Sequence, residues 1–198
     1  MTPLSDEALL GLHVSGDTGA LDELIRRHAG EVYGFLCKFV GSGGAADDLV
    51  QETFLQIHLA ASSFDPQRSF KPWLYTIAAN KARDFLRSRS RRREHSLDAT
   101  ADRDEGGAAA GVLPSAEAPL DEHVASEEQR KAVREVIAEM SESSRMILTL
   151  GYFQQLPYAE IAEILEIPVG TVKSRLHTAV RQFAKRWEER TNAGVRST

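Results

Sequence analysis

Trp73, Asn80, Arg83 and Arg87 are spaced by seven, three and four residues, which puts their side chains on one face of an α-helix. An indole can stack on an unpaired base, an amide can pair with a base edge, and guanidinium groups can hold phosphates. The stretch just before them, Phe64-Asp65-Pro66-Gln67-Arg68-Ser69-Phe70, adds two aromatics and another arginine. Those are the parts from which a pocket for an extruded base is built. The competing reading puts Trp73, Phe64 and Phe70 in the core and leaves the charges merely solvated. A second set lies near the C-terminus. Thr171, Ser174, His177, Thr178 and Arg181 fall on one side of a helix, with Lys173 and Arg175 close by, and small polar and basic groups so arranged suit the DNA major groove. Arg175 sits at the flank of that side, a position for phosphate contact.

Helices must carry both sets, and the apolar residues supply them. Leu74, Tyr75, Ala78, Ala79, Ala82, Phe85 and Leu86 line the opposite side of a helix expected from about 71 to 93, with Pro72 in its first turn. Val172, Leu176, Ala179, Val180, Phe183 and Trp187 do the same for a helix expected over about 169–188, with Thr171 near its start. The short amphipathic run Tyr158–Leu165 precedes it across Glu166-Ile167-Pro168-Val169-Gly170, giving a helix-turn-helix order. A plain helical hairpin is the alternative. Upstream, Leu21, Leu24, Ile25, His28, Val32, Phe35, Leu36 and Phe39 recur at threes and fours until Gly41-Ser42-Gly43-Gly44. Leu49, Thr53, Phe54, Ile57 and Ala61 form the next stripe. Further helices are expected at about 126–140 and 142–154. No segment alternates with a period of two, so the expected fold is all-α.

Composition sets the limits. The chain has 198 residues, 42% hydrophobic and 27% charged, with one cysteine, Cys37. No apolar run reaches the ~18 residues of a membrane span, and one cysteine excludes an internal disulfide and a Cys-rich zinc site. The start, Met1-Thr2-Pro3-Leu4-Ser5-Asp6-Glu7, lacks signal-peptide features, so a cytoplasmic location is expected. The net charge of -5 hides two basic islands: residues 64–93 carry 9 basic and 2 acidic side chains, and 167–190 carry 6 and 2. Phosphate neutralisation is local, so the islands outweigh the sum. Residues 94–128 carry 10 acidic side chains and 1 basic. Within them, 99–119 are rich in Gly, Ala, Pro and acid with no amphipathic period, the composition of a flexible linker. The expected organisation is a helical domain over 1–93, a linker over 94–125, a helical domain over 126–190 and a tail over 191–198. The six histidines are scattered, and neither His-Glu-x-x-His nor Gly-x-Ser-x-Gly occurs, so no enzyme is expected.

The run Leu-Pro-Tyr-Ala-Glu-Ile-Ala-Glu-Ile-Leu-Glu-Ile-Pro-Val-Gly-Thr-Val-Lys-Ser-Arg-Leu-His (156–177) resembles region 4 of bacterial sigma factors of the extracytoplasmic-function (ECF) group. Asp-Asp-Leu-Val-Gln-Glu-Thr-Phe (47–54) and Phe-Asp-Pro…Phe-Lys-Pro-Trp-Leu-Tyr-Thr-Ile-Ala-Ala-Asn (64–80) resemble region 2. The resemblance implies a non-enzymatic initiation factor that brings core RNA polymerase to promoters and needs no cofactor and no metal. The implied partners are the polymerase core (β′ clamp helices and β subunit), promoter DNA and an anti-sigma factor, without membrane insertion.

The resemblance also assigns residues. Asp48, Gln51, Glu52 and Gln56 would meet the β′ clamp, with Phe54 in the core, although an acidic face of this kind could equally be solvated. Phe64, Arg68, Ser69, Phe70, Trp73, Asn80, Arg83 and Arg87 would read and melt the -10 element. Thr171, Lys173, Ser174, Arg175, His177, Thr178 and Arg181 would read the -35 duplex. Glu166 stands where the group commonly has Gly, which predicts a strained turn. Thr178 stands where Arg is common, so no -35 preference transfers. The acidic linker would thread toward the RNA-exit path. The rival function is a helix-turn-helix regulator acting without polymerase, which would leave the Trp73 face unexplained.

Overall fold

The computed structural model describes residues 3–41, 43–99 and 127–195. All the regular structure in them is helical: α1 (Asp6–Val14), α2 (Thr18–Val40), α3 (Gly43–Ala60), α4 (Phe70–Ala99), α5 (Glu127–Ala138), α6 (Glu142–Leu148), α7 (Tyr158–Leu165) and α8 (Val169–Val195). A 3-10 turn, Ala61–Ser63, follows α3, and α6 runs on into a π-turn over Thr149–Phe153. Helix α4 runs through Ala99 and so takes in residues 94–99 of the linker expected over 94–125; the rest of that linker lies outside the described residues.

Helix α1 has no counterpart among the expected elements. Ser5 caps it by accepting from the Ala8 N–H at 3.2 Å, with Asp6 and Glu7 favourably placed in the first turn. Asp6 then reaches α2: one oxygen accepts from Arg27 at 2.9 Å, and the other lies 2.7 Å from His28 Nε2. Helix α2 starts at its Asp17 cap and stops at Gly41, whose φ of 76° is left-handed and costs glycine nothing.

The stripes read from the sequence are the ones that turn inward, except that Val180 of α8 is exposed. Leu24, Val32, Phe35 and Leu36 of α2, Ala46, Leu49, Phe54 and Ile57 of α3, and Leu74, Tyr75 and Ala78 of α4 form one cluster. It continues without a break into Met146, Ile147 and Leu150, and on to Ile161 of α7 and Val172 and Ala179 of α8. Each large side chain so buried contributes about 1.5–3 kcal/mol. Thus the two helical units are packed together, where the sequence suggested two bodies joined only by a linker.

Polar contacts join the units as well. Arg145 of α6 donates to the Lys38 and Phe39 carbonyls of α2, at 3.3 and 3.5 Å, and to the Met140 carbonyl at 3.0 Å. The Lys38 ammonium lies 4.6 Å from the centre of the Phe153 ring, and burial pulls its pKa down to about 8. The buried Tyr75 hydroxyl donates to Gln154 Oε1, and burial first, then Glu31, raises its pKa.

In the C-terminal unit, α7 ends on Glu166 at φ 54°, ψ 44°, the left-handed strain expected there. Its N–H still finds the Ala162 and Glu163 carbonyls. Helix α8 begins at Val169, where the expected range of about 169–188 begins, and the Pro168 carbonyl accepts from both Thr171 and Val172 N–H groups. Gly151 of the π-turn lies against α8: a Cβ there would meet the two Leu176 methyls at 3.0 and 3.1 Å. The turn can approach so closely only because residue 151 has no side chain.

Candidate nucleic-acid interface

The N-terminal basic set is built around the start of α4. The N–H of Phe70 donates to Glu7 Oε1 of α1 at 2.8 Å, and this bond, first among several causes, holds the Glu7 carboxyl below its ordinary value. A helix starts with unpaired N–H groups and a positive dipole end, so a carboxylate is the natural cap. The preceding stretch is a tight turn in which Asp65 accepts from Gln67 N–H through its side chain (2.9 Å) and from Arg68 N–H through its carbonyl (3.0 Å).

Phe70 is fully buried, with the His28 ring at 5.5 Å and the Trp73 ring at 6.0 Å. It forms the floor of the site, and its expected role in contacting DNA is corrected accordingly. Core packing and the Glu7 cap hold it inward. Above it, Phe64 and Trp73 are half-buried and lie 4.9 Å apart at 49°. The two readings of this aromatic set are thus both partly right: one ring is core, and two keep an open side.

Two turns further along α4, Asn80 is exposed and its Oδ1 accepts from Arg83 Nη1 at 2.8 Å. Arg87, also exposed, pairs with Asp84 at 3.5 Å. Ser69 is exposed. Arg68 is exposed too and forms an ion pair with Glu163 of α7. Trp73, Asn80, Arg83 and Arg87 thus share one side of α4, while Leu74, Tyr75, Ala78 and Ala82 are buried on the other.

On α3, Asp48, Gln51, Glu52 and Gln56 are all exposed, and Glu52 pairs with Lys81 of α4 at 3.2 Å. Two residues that the sequence reading missed stand among them: Leu55 and Leu59 are 57% and 65% exposed. Positions 48, 52, 55 and 59 form one helical stripe. The signal was present in the sequence, since both leucines fall off the apolar stripe of Leu49, Phe54 and Ile57.

On α8, Lys173, Ser174, Arg175, His177, Thr178 and Arg181 are exposed, and Thr171 is half-buried. Val172 and Ala179 are fully buried on the reverse side. The polar side is locally ordered: Thr178 Oγ1 donates to the Ser174 carbonyl at 2.9 Å, and Ser174 Oγ to the Thr171 carbonyl at 3.1 Å. The described residues hold no group of three or more His, Cys, Asp or Glu side chains fit for a metal ion. No helix among them is long and apolar enough to cross a membrane.

Comparison with known proteins adds what geometry alone does not give. The family model for Sigma-70 region 2 matches residues 24–92, and that for Sigma-70, region 4 matches residues 130–183. The chain is 36% identical over 176 residues to the ECF RNA polymerase sigma-E factor of Escherichia coli (strain K12), covering 89% of this chain and 91% of that one. It is 33% identical over 179 residues to the RNA polymerase sigma-H factor of Pseudomonas aeruginosa, covering 90% and 92%. At the level of fold it is similar to CnrH in complex with the cytosolic domain of CnrY, with a TM-score of 0.68 and 23% identity over 93% of this chain and 97% of that one. It is also similar to the sigma factor RpoE in complex with the anti-sigma factor NepR from Bartonella quintana, with a TM-score of 0.65 and 21% identity over 83% and 94%.

Proposed function

The chain belongs to the ECF group of the sigma-70 family of RNA polymerase sigma factors, and from that premise we propose how its surfaces divide the work of initiation. A sigma factor brings core polymerase to a promoter, and the polymerase performs the chemistry. Residues 1–93 bind core and open the -10 element, and residues 126–190 read the -35 element. The stripe on α3, with Asp48, Gln51, Glu52 and Gln56 around Leu55 and Leu59, docks on the β′ clamp helices. Apolar side chains inside a polar rim are the usual make-up of such a contact.

The half-buried Phe64–Trp73 pair beside Asn80 and Arg83 carries the reading. Unstacking one base costs a few kcal/mol, and stacking on an aromatic returns about 1–3 kcal/mol. Phe64 and Trp73 offer the stacking surface, Asn80 the base-edge contact, and Arg83 and Arg87 the phosphate contacts that keep the strand in place. Phe70 supports this pocket from below. On α8, Ser174, His177, Thr178 and Arg181 face base edges, with Lys173, Arg175 and Thr171 toward the backbone. In this scheme the linker threads toward the RNA-exit path of the polymerase, and an anti-sigma factor holds the protein inactive until needed.

A promoter shift assay with and without core polymerase tests the scheme, followed by permanganate probing of the melted strand. Trp73→Ala, Asn80→Ala and Arg83→Ala in one chain should leave core binding intact and abolish strand opening. Strand opening at wild-type level would refute the assignment. Tight, specific duplex binding without core would support the regulator reading instead.

A further inference from the structure

Phe70 lies under both open aromatics, 6.4 Å from Phe64 and 6.0 Å from Trp73. Two adjacent carboxylates of α1 hold it at two points. Glu7 accepts from its backbone N–H. Asp6 acts on its ring through His28 of α2: Asp6 Oδ2 lies 2.7 Å from His28 Nε2, and the imidazole packs on the Phe70 ring at 5.5 Å and 49°. Asp6 is itself fixed. Its Oδ1 accepts from Arg27 at 2.9 Å, and that guanidinium also donates to Glu23 and to the Leu4 carbonyl, both at 2.8 Å. A continuous line of contacts thus runs from the start of α1, through α2, to the rings at the start of α4.

Packing alone does not account for an imidazole in this place. His28 is 8% exposed, and its Nδ1 is buried with no hydrogen-bond partner among the described residues. A buried polar atom left unpaired lowers stability, and a hydrocarbon ring would fill the space without that penalty. What imidazole has and hydrocarbon lacks is an N–H donor on a flat ring. A proton on Nδ1 would be a buried donor without an acceptor, so the neutral ring carries its proton on Nε2 and donates it to Asp6 Oδ2. The torsion that turns a histidine ring about its own axis is otherwise broad, and this bond fixes it. Protein interiors are close-packed, so a ring held in one plane imposes order on the ring that lies against it.

We infer that His28 is a positioning residue of the base pocket: held in plane by Asp6, it sets the Phe70 ring and, through it, the open faces of Phe64 and Trp73. The inference rests on the assignment of those two rings to an unpaired base given above. His28 is buried and does not itself reach the strand. The fold tolerates an unpaired Nδ1 here because the same imidazole gives the stacking surface a fixed orientation before any base arrives, as strain elsewhere is tolerated at functional sites.

An abasic scan with the holoenzyme tests this. The full chain, assembled with core polymerase, is titrated with the non-template single strand of a promoter that it melts, carrying an abasic residue at one position at a time. Stacking makes wild type bind the intact strand about tenfold more tightly than the strand that lacks the captured base. His28→Phe and Asp6→Ala should each reduce that ratio to about threefold or less, with core affinity unchanged. His28→Phe should do so with a melting temperature at or above that of wild type, because it removes the unpaired nitrogen; a residue that only filled the core could not lower the ratio while stability held. The double variant should fall no further than either single one, since both act through one bond. Should His28→Phe melt lower, Asp6→Ala, at a half-buried position on α1, carries the comparison. A wild-type ratio in both variants, additive losses in the double variant, or equal weakening for intact and abasic strands would overturn the inference. A wild-type ratio near one at every position, or a Trp73→Ala ratio equal to that of wild type, would instead refute the base-pocket reading, whatever the His28 variants show.

Discussion

Removing the carboxylate of Glu7 should unsettle the start of α4 sixty-three residues away. Glu7 Oε1 accepts from the Phe70 N–H at 2.8 Å, and Phe70 is the buried floor under Phe64 and Trp73. A hydrogen bond to a charged acceptor contributes about 1.5–3 kcal/mol, and a charge at a helix N-terminus about 0.3–1 kcal/mol. Glu7 is only half-buried, so the low end applies. Glu7→Ala should cost about 1.5 kcal/mol, and Glu7→Gln, which keeps an acceptor, about 0.5–1 kcal/mol. The pH dependence separates charge from shape. The folded protein holds this carboxyl below its ordinary value, so its contribution is complete above the unfolded pKa and fades as pH falls through the lower folded one. Urea unfolding followed by circular dichroism should therefore show wild type above Glu7→Gln at neutral pH, with the gap closing in acid below the ordinary carboxylate range. With core polymerase, strand opening should weaken in Glu7→Ala more than core binding does. Equal midpoints for all three proteins at neutral pH, or a gap unaffected by acid, would refute the reasoning.

Glu166→Gly should stabilise the protein by about 0.5–1 kcal/mol, the left-handed strain at φ 54° less the entropy glycine regains on unfolding, as thermal melts would show. Lys38 carries a pKa near 8 in the folded protein, so burying its charge costs stability at neutral pH, and that cost fades as pH rises from about 8 toward its unfolded value. Wild type should accordingly gain on Lys38→Met across that interval in paired denaturation curves, and a constant difference would contradict the burial argument. Leu55→Asp with Leu59→Asp should leave stability within about 0.5 kcal/mol, since both side chains are exposed. The same pair should weaken binding to core polymerase about tenfold or more by titration, as expected for apolar anchors in an interface.

Much of this could be read from the amino acids because helices advertise their buried sides. The stripes of α2, α3, α4 and α8 were visible at spacings of three and four, and Gly41 and Glu166 marked their turns. Helix α1 escaped because its apolar residues do not form a stripe: Leu9 and Leu10 are adjacent, Leu12 and Val14 point outward, and Gly11 interrupts them. The burial of Phe70 escaped for a different reason, since it depends on Glu7 and His28 arriving from distant positions. Neither could Arg145 or Gln154 be singled out. Each looks like an ordinary surface residue until the two units meet, and pair contacts across more than seventy residues leave no local period.

The contact between Gly151 and Leu176 bears on how promoter choice can drift. Leu176 is inserted beside a backbone stretch that has no room for one extra methyl, and its immediate neighbour His177 points outward from the same turn of α8. Added bulk on the inside must push the helix axis, and every outward side chain swings with it. Under the proposed assignment of α8, sequence preference is retuned from within, by a change in volume at a concealed position, while every residue proposed to meet DNA stays the same.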